Sequence, residues 1–170
     1  MQPFGDQVSD MSTLISSELA DFISGPVMMV VSTRDQRFRA TIGRGTGAMY
    51  DEATGLIDLF VCRAQWPDVV ENAAPGGKIA ATFVRPTDYL CYQIKGVIED
   101  ITPATEAEAA RGQLYVERML TLMEALEVRR AQLSHSLCAR DLMRIGFHPS
   151  DVFLQSPGPH AGERLAGATA

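Results

Sequence analysis

Two arginines five positions apart, in Arg39-Ala-Thr-Ile-Gly-Arg44, lie on a stretch whose residue types suit a β-strand. A third, in Arg63-Ala-Gln-Trp66, follows another such stretch, Leu56 to Cys62. Cationic groups placed along and just after strands can grip a phosphate. Thr41 stands two residues after Arg39, so on a regular strand it faces the same side and offers a hydroxyl. Arg44 falls on the opposite face unless the chain bends near Gly43 and Gly45, which glycine permits. Further along, Tyr89 to Ile101 alternates, with Leu90, Tyr92, Ile94 and Ile98 on one face and Cys91, Gln93 and Lys95 on the other. Gln93 and Lys95 therefore share a polar face that is open to a ligand, and an amide there both donates and accepts hydrogen bonds.

The whole-chain properties bound what such a site serves. A length of 170 residues fits one domain, and 46% hydrophobic with 21% charged residues is the balance of a soluble globular protein. A net charge of −6 argues against broad nucleic-acid binding, which needs a basic face to displace counterions, so any cationic site is local. Cys62, Cys91 and Cys138 are odd in number and form no CxxC pair, which fits free thiols in a reducing, cytoplasmic setting. The N-terminus carries Asp6 and Asp10 rather than a basic leader. The most apolar early run, Val27 to Val31, is far shorter than the ~20 residues a membrane helix needs, and no membrane partner is expected.

The elements that position these groups are read from periodicity. Ile15, Leu19, Phe22 and Ile23 make one apolar helix face that Gly25-Pro26 ends. Strands are expected at Val27 to Thr33, Arg37 to Arg44, Thr46 to Tyr50, Leu56 to Cys62, Lys78 to Val84, Tyr89 to Ile101 and Leu142 to Phe147. Asp51 to Gly55 is a hairpin turn, and Pro67 to Ala73 is a short helix with proline in its first turn. A longer helix begins after Thr102-Pro103 or at a Thr105–Glu108 capping box, with Tyr115, Met119, Leu122, Met123 and Leu126 along one stripe. Glu127 to Leu133 either continues or restarts it. His148-Pro149 punctuates the last strand, and the small-residue tail, 156–170, is expected to fray from an ordered core of about residues 12–155. About six short strands joined by hairpins describe a small antiparallel barrel, mainly β within the α+β class, with flanking helices.

The order Pro26-Val-Met-Met-Val-Val-Ser-Thr33, Arg39 to Arg44, Arg63 to Trp66 and Tyr92-Gln-Ile-Lys-Gly96 resembles the FMN-binding split barrels of the pyridoxamine 5'-phosphate oxidase-like family over roughly residues 15 to 155. In that family an arginine and a basic residue five positions later flank a strand lining the flavin, the spacing of Arg39 and Arg44. Leu59 to Trp66 looks like the strand, loop and helix start that contact the FMN phosphate. The family's Ser-Arg-Lys type sequence falls near Ala64-Gln65-Trp66, with Arg63 displaced by one; a helix start suits an anion through its free N–H groups. Gln93 carries over by strand face only, since the family's glutamine position holds Cys91. The resemblance thus implies Arg39, Thr41, Arg44, Arg63, Gln65, Gln93 and Lys95 as cofactor-binding residues, in a homodimer with the cofactor at the subunit interface.

The activity so implied is an FMN-dependent oxidoreductase acting on a small-molecule substrate or electron donor. The C-terminal Gly158-Pro-His-Ala-Gly-Glu-Arg-Leu165 lacks the tryptophan-and-arginine motif of the vitamin B6 oxidases, which argues against pyridoxamine phosphate as substrate. The alternatives are a flavin- or haem-binding carrier or sensor without turnover, and a deazaflavin in place of FMN. No residue stands out as catalytic. His135 and Cys138 have ligand spacing but no third partner, so no metal site is assigned. Cys62, His148 and Asp151 lack a nucleophile signature.

Overall fold

The computed structural model describes residues 14–167; Asp6, Asp10 and the last residues of the tail, 168–170, lie outside it. Ser16 caps the first helix, α1 (Ser17–Ser24), by accepting from the Leu19 amide, and α1 buries Leu19 and Ile23. Strands β1 (Met28–Arg34), β2 (Ala40–Asp51) and β3 (Leu56–Cys62) form a meander. A single turn, α2 (Pro67–Glu71), leads to β4 (Lys78–Val84) and β5 (Cys91–Pro103). Helices α3 (Glu106–Ala125) and α4 (Arg130–Leu133) precede β6 (Leu142–Leu154) and β7 (Arg164–Gly167).

The strands are ordered β3-β2-β1-β4-β5-β6-β7, and β3 pairs with β6, closing six antiparallel strands into a barrel with β7 as an added edge. Closure satisfies backbone groups that open edges would expose. This is the architecture the resemblance implies. Alternation fills the interior with Met29, Val31, Ile57, Leu59, Val61, Ile79, Ala81, Phe83, Ile94, Ile98, Ile145 and Phe147, each 3% exposed or less. A smaller cluster outside the barrel, Phe60, Cys62 and Leu142, packs with Met49 and Cys138. The Thr105–Glu108 capping box holds the start of α3, whose Tyr115 and Met119 face the core. Among the described residues no helix is long and apolar enough to cross a membrane.

Several expected boundaries are corrected. The strands expected at 37–44 and 46–50 are one strand, β2, which begins only at Ala40, leaving Arg37 to Arg39 in the preceding turn, and passes its glycines by a register shift between Gly45 and Ala48. Gly47, with φ +118°, supplies the conformation that shift requires. β6 does not stop at Pro149 but runs to Leu154; the proline sits at an irregularity opposite Gly96, where a missing N–H is tolerated. Part of the tail expected to fray forms β7, paired with β6 and joined to it by Arg164–Asp151 at 2.6 Å. After α3 the chain breaks at Glu127, φ +64°, before α4 begins. Cys91, expected on the open face, is buried where the following chain returns: its amide donates to Ser156 Oγ, and its carbonyl accepts from Gln155.

Candidate functional site

The outward face of the sheet β2-β1-β4-β5-β6 brings together residues far apart in sequence, because antiparallel register aligns them in rows. One row runs Arg44, Val30, Thr82, Gln93, Phe153; the next runs Ile42, Ser32, Ala80, Lys95, Asp151. At a strand spacing of ~4.8 Å each row spans roughly 19 Å. Val30 is 37% exposed and Ile42 66%, an unusual pair of apolar surfaces beside charged groups.

The polar groups in these rows are lightly engaged. Gln93 Nε2 donates to Thr82 Oγ1 at 3.2 Å, and the Lys95 ammonium sits 4.6 Å from the Phe153 ring centroid. Arg44 Nη1 lies 3.7 Å from the Met28 sulfur and makes no ion pair among the described residues. Beside Lys95 the surface dips into a cleft of about 340 Å³ lined by Ser32, Arg34, Phe38, Lys78, Lys95 and Asp151, among others. The Arg34 guanidinium lies 4.6 Å from the Phe38 ring, and Phe38, 72% exposed, holds φ +62°. Among the described residues Arg34, Lys78 and Lys95 have no ion-pair partner. Asp151, the carboxylate lining the cleft, is held below its usual pKa by the Ser150 hydroxyl, then by Arg164, the bridge to β7, and by the charge of Lys95, against the opposing effect of burial.

Arg39 and Thr41 lie elsewhere, on the side of the hairpin facing α2. Both Arg39 Nε and Nη2 stand 2.7 Å from Asp35 Oδ2, while the Arg39 and Arg37 amides donate to Asp35 Oδ1. The amide of Arg39 leads the interactions that lower the Asp35 pKa. Thr41 Oγ1 accepts from Asn72 Nδ2 at 3.1 Å and contacts Thr33 Oγ1 at 3.1 Å, and Thr33 in turn donates to the Val69 carbonyl. The surrounding hollow also holds Asp68 and Glu71, giving three carboxylates with Asp35 against the single cation Arg39.

Arg63 and Gln65 form a third group, on the loop between β3 and α2. Arg63 makes a two-pronged contact with Asp141, Nε to Oδ2 at 3.1 Å and Nη2 to Oδ1 at 2.8 Å. Gln65 Nε2 donates to the His135 carbonyl, and its Oε1 is buried without a partner. Trp66 packs on Gly43: a Cβ there would lie 2.9 Å from the indole, so the close approach requires glycine. α2 has only five residues and no side-chain cap, so it has little aligned dipole to offer an anion.

The seven residues singled out by sequence thus occupy three places: Arg44, Gln93 and Lys95 on the sheet face, Arg39 and Thr41 under the hairpin, Arg63 and Gln65 beside α2. Sequence reasoning missed Ser32, Arg34, Phe38 and Lys78. Alternation continued outward from Val30 reaches Ser32 and Arg34, a signal that was available; the inversion of Phe38 into positive φ had none.

No family model matches the chain, and no curated protein matches it. Solved structures that resemble it include a putative pyridoxamine 5'-phosphate oxidase from Lactobacillus delbrueckii, at 8% identity and TM-score 0.48, covering 84% of this chain and 96% of that one. The haem storage protein HutZ from Vibrio cholerae aligns at 10% identity and TM-score 0.42, covering 82% and 94%. An F420 reductase aligns at 13% identity and TM-score 0.48, covering 78% and 93%. The barrel is defined by the strand pairings above, independently of these likenesses.

Proposed function

We propose that this chain is an FMN-dependent oxidoreductase that holds its cofactor on the outward face of β2-β1-β4-β5-β6, where a second copy of the chain covers it. The observation that carries the reading is the cationic rim: Arg34, Lys78 and Lys95 line one cleft that holds a single carboxylate, Asp151, which is already bridged to Arg164, on a chain of net charge −6. Three cations lining a cleft with one shared carboxylate leave an excess of positive charge, which a phosphate dianion would offset. Next to the rim, the Gln93–Thr82 pair offers a polar edge, and Val30 and Ile42 offer an apolar surface. That combination fits a flat ring with one hydrogen-bonding edge and an anionic tail. A cleft of about 340 Å³ is at the low end of the ~300–1,000 Å³ usual for small-molecule sites, as half of a shared site should be.

In this reading Lys95, Lys78 and Arg34 hold the phosphate, Gln93 orients the ring edge, and Arg44 borders the far end of the row. Arg39 and Arg63 contribute less directly, since each would first have to leave its aspartate. Bound there, FMN would supply the acceptance and donation of a hydride or of single electrons. The apolar residues and the partner copy exclude water from its ring. The substrate is a small molecule other than pyridoxamine phosphate.

The test is a flavin fluorescence titration of the wild-type chain and Lys95→Ala. Loss of a charge-assisted hydrogen bond of ~1.5–3 kcal/mol weakens binding roughly 10- to 150-fold. A chain that stays colourless in excess FMN overturns the reading. Bound flavin without NADH or NADPH oxidation supports a carrier or sensor instead. A monomer by light scattering with flavin bound removes the shared site.

A further inference from the structure

Cys62 closes β3 and is fully buried, outside the barrel, against Phe60 and Leu142. Cys138, from the segment between α4 and β6, is half-buried and packs on the same cluster. The segment is fixed there by a hydrogen bond from Thr46 Oγ1 to the Cys138 carbonyl at 3.1 Å. The Arg140 amide points at the Cys138 sulfur at 3.4 Å. Two of the three cysteines, 76 positions apart in the chain, therefore meet in one apolar pocket with one of them reachable from solvent.

The geometry points to Cys62 and Cys138 as a reversible disulfide site, with Cys138 as the peroxide-reactive thiol and Cys62 as the thiol that resolves it. Their surroundings divide the roles. Burial first, and then the contact with Cys138, pushes the Cys62 thiol up to about 11, so it stays protonated. Burial acts in the same sense on Cys138, but the Cys62 thiol and the Arg140 amide outweigh it and lower its pKa. The thiolate is the nucleophile, so Cys138 reacts first.

The balance requires one peroxide. The Cys138 thiolate attacks an oxygen of hydrogen peroxide; an S–O bond forms, the O–O bond breaks, and the departing hydroxide takes a proton to become water. The Cys62 sulfur then attacks the sulfenic sulfur; the S–S bond forms, the S–O bond breaks, and the oxygen leaves with the Cys62 proton as a second water. Both cysteines lose one electron, the peroxide gains two, and a dithiol reductant reverses the change.

The bond would staple two segments that already touch. Arg63 and Gln65 follow Cys62 immediately and bind Asp141 and the His135 carbonyl, on either side of Cys138. Oxidation therefore locks the β3–α2 loop to the 134–141 segment, independently of whether flavin occupies the sheet face.

The experiment treats the intact chain with hydrogen peroxide and maps peptides without reduction. The expected result is a Cys62–Cys138 peptide lacking two hydrogens, formed within one chain, reversed by dithiothreitol, and unchanged in Cys91→Ser. In Cys62→Ser, dimedone should trap sulfenic acid on Cys138. In Cys138→Ser, which alters a less buried position, Cys62 should remain a free thiol at the same dose. A link between copies, oxidation of Cys138 past the sulfenic stage while Cys62 stays free in the wild type, or equal reaction at Cys91 overturns the assignment.

Discussion

Replacing Arg144 with methionine keeps the aliphatic stem and removes the charge that ties three strands together. From β6, Nη1 donates to Asp58 of β3 at 2.7 Å, Nη2 to Asp100 of β5 at 2.5 Å, and Nε to Thr102 at 3.3 Å; Glu108 of α3 lies 3.8 Å from Nε. The Arg144 and Asp58 side chains are 19% and 14% exposed, whereas Asp100 is 41% exposed. Water can replace the contact to Asp100, so that bond is worth little. Removing one member of a buried pair costs ~3–5 kcal/mol because the survivor is left charged and dry. The openness at Asp100 places the expected loss at about 3 kcal/mol, a melting temperature lowered by roughly 6–12 °C for a chain of this size.

The same geometry fixes the pH dependence. Burial raises the Asp58 pKa above its ordinary 3.8, the Arg144 contact works against that rise, and without Arg144 the pKa climbs further. A carboxyl with a raised folded pKa binds its proton more tightly in the native state. The cost of its ionised form is therefore complete above the folded pKa and disappears below the unfolded one. The deficit of Arg144→Met must shrink as the solution is acidified through that window, and Asp58→Asn in the same background must recover part of it at neutral pH. Chemical denaturation of wild type and variants at neutral pH and at mild acidity measures both. A loss below ~1 kcal/mol, or one that does not change with pH, refutes the claim that Arg144 neutralises a desolvated carboxylate.

Two further outcomes can be measured directly. The Arg85 side chain first, and then the Leu90 amide, holds Asp88 down at about 2, so its contribution to stability is present above 3.8 and lost as pH falls through about 2. Carboxyl-carbon NMR should show that midpoint, moving up toward 3.8 in Arg85→Met; an unmoved midpoint removes Arg85 as the cause. Tyr115 donates its hydroxyl to the Val27 carbonyl at 2.7 Å inside the core, so Tyr115→Phe strands a buried acceptor. Urea unfolding should register a loss of ~1–3 kcal/mol, and a neutral result would mean that water reaches that carbonyl.

The strands that alternate cleanly were legible, and β3 and β4 begin and end where their residue pattern does. The elements misjudged are those in which a local signal was outvoted by pairing. Gly43 and Gly45 read as a break between two strands, yet pairing with β1 up to Arg44 and with β3 from Gly45 onward carries β2 through them, with a register shift rather than an end. Pro149 reads as a stop, but it falls where β6 is already irregular against β5, so no ladder bond is lost. β7 is only four residues long, too short to show a periodicity; its pairing with β6 and the Arg164–Asp151 contact depend on residues elsewhere in the chain. Propensity is a local quantity, and these three outcomes depend on what lies a strand away.

The candidate site shows the same limit in electrostatic form. A sequence displays its arginines but not their partners, and partners decide which cations are available to a ligand. Arg34 and Arg39 stand five residues apart, on one hairpin. Arg39 turns back onto Asp35, while Arg34 makes no ion pair among the described residues and lies 4.6 Å from the Phe38 ring. Lys95 reads as one polar residue on a strand until register sets it in the row of Ser32 and near Lys78, which enters through β4. The cationic rim is thus a product of three neighbouring strands, β1, β4 and β5, of which β1 and β4 are adjacent in the sheet although β2 and β3 separate them in the chain. A cationic cleft assembled in this way has no linear motif, and the acidic balance of the whole chain conceals it. Folding separates the cations held by a carboxylate, such as Arg39 and Arg63, from those gathered on the sheet face.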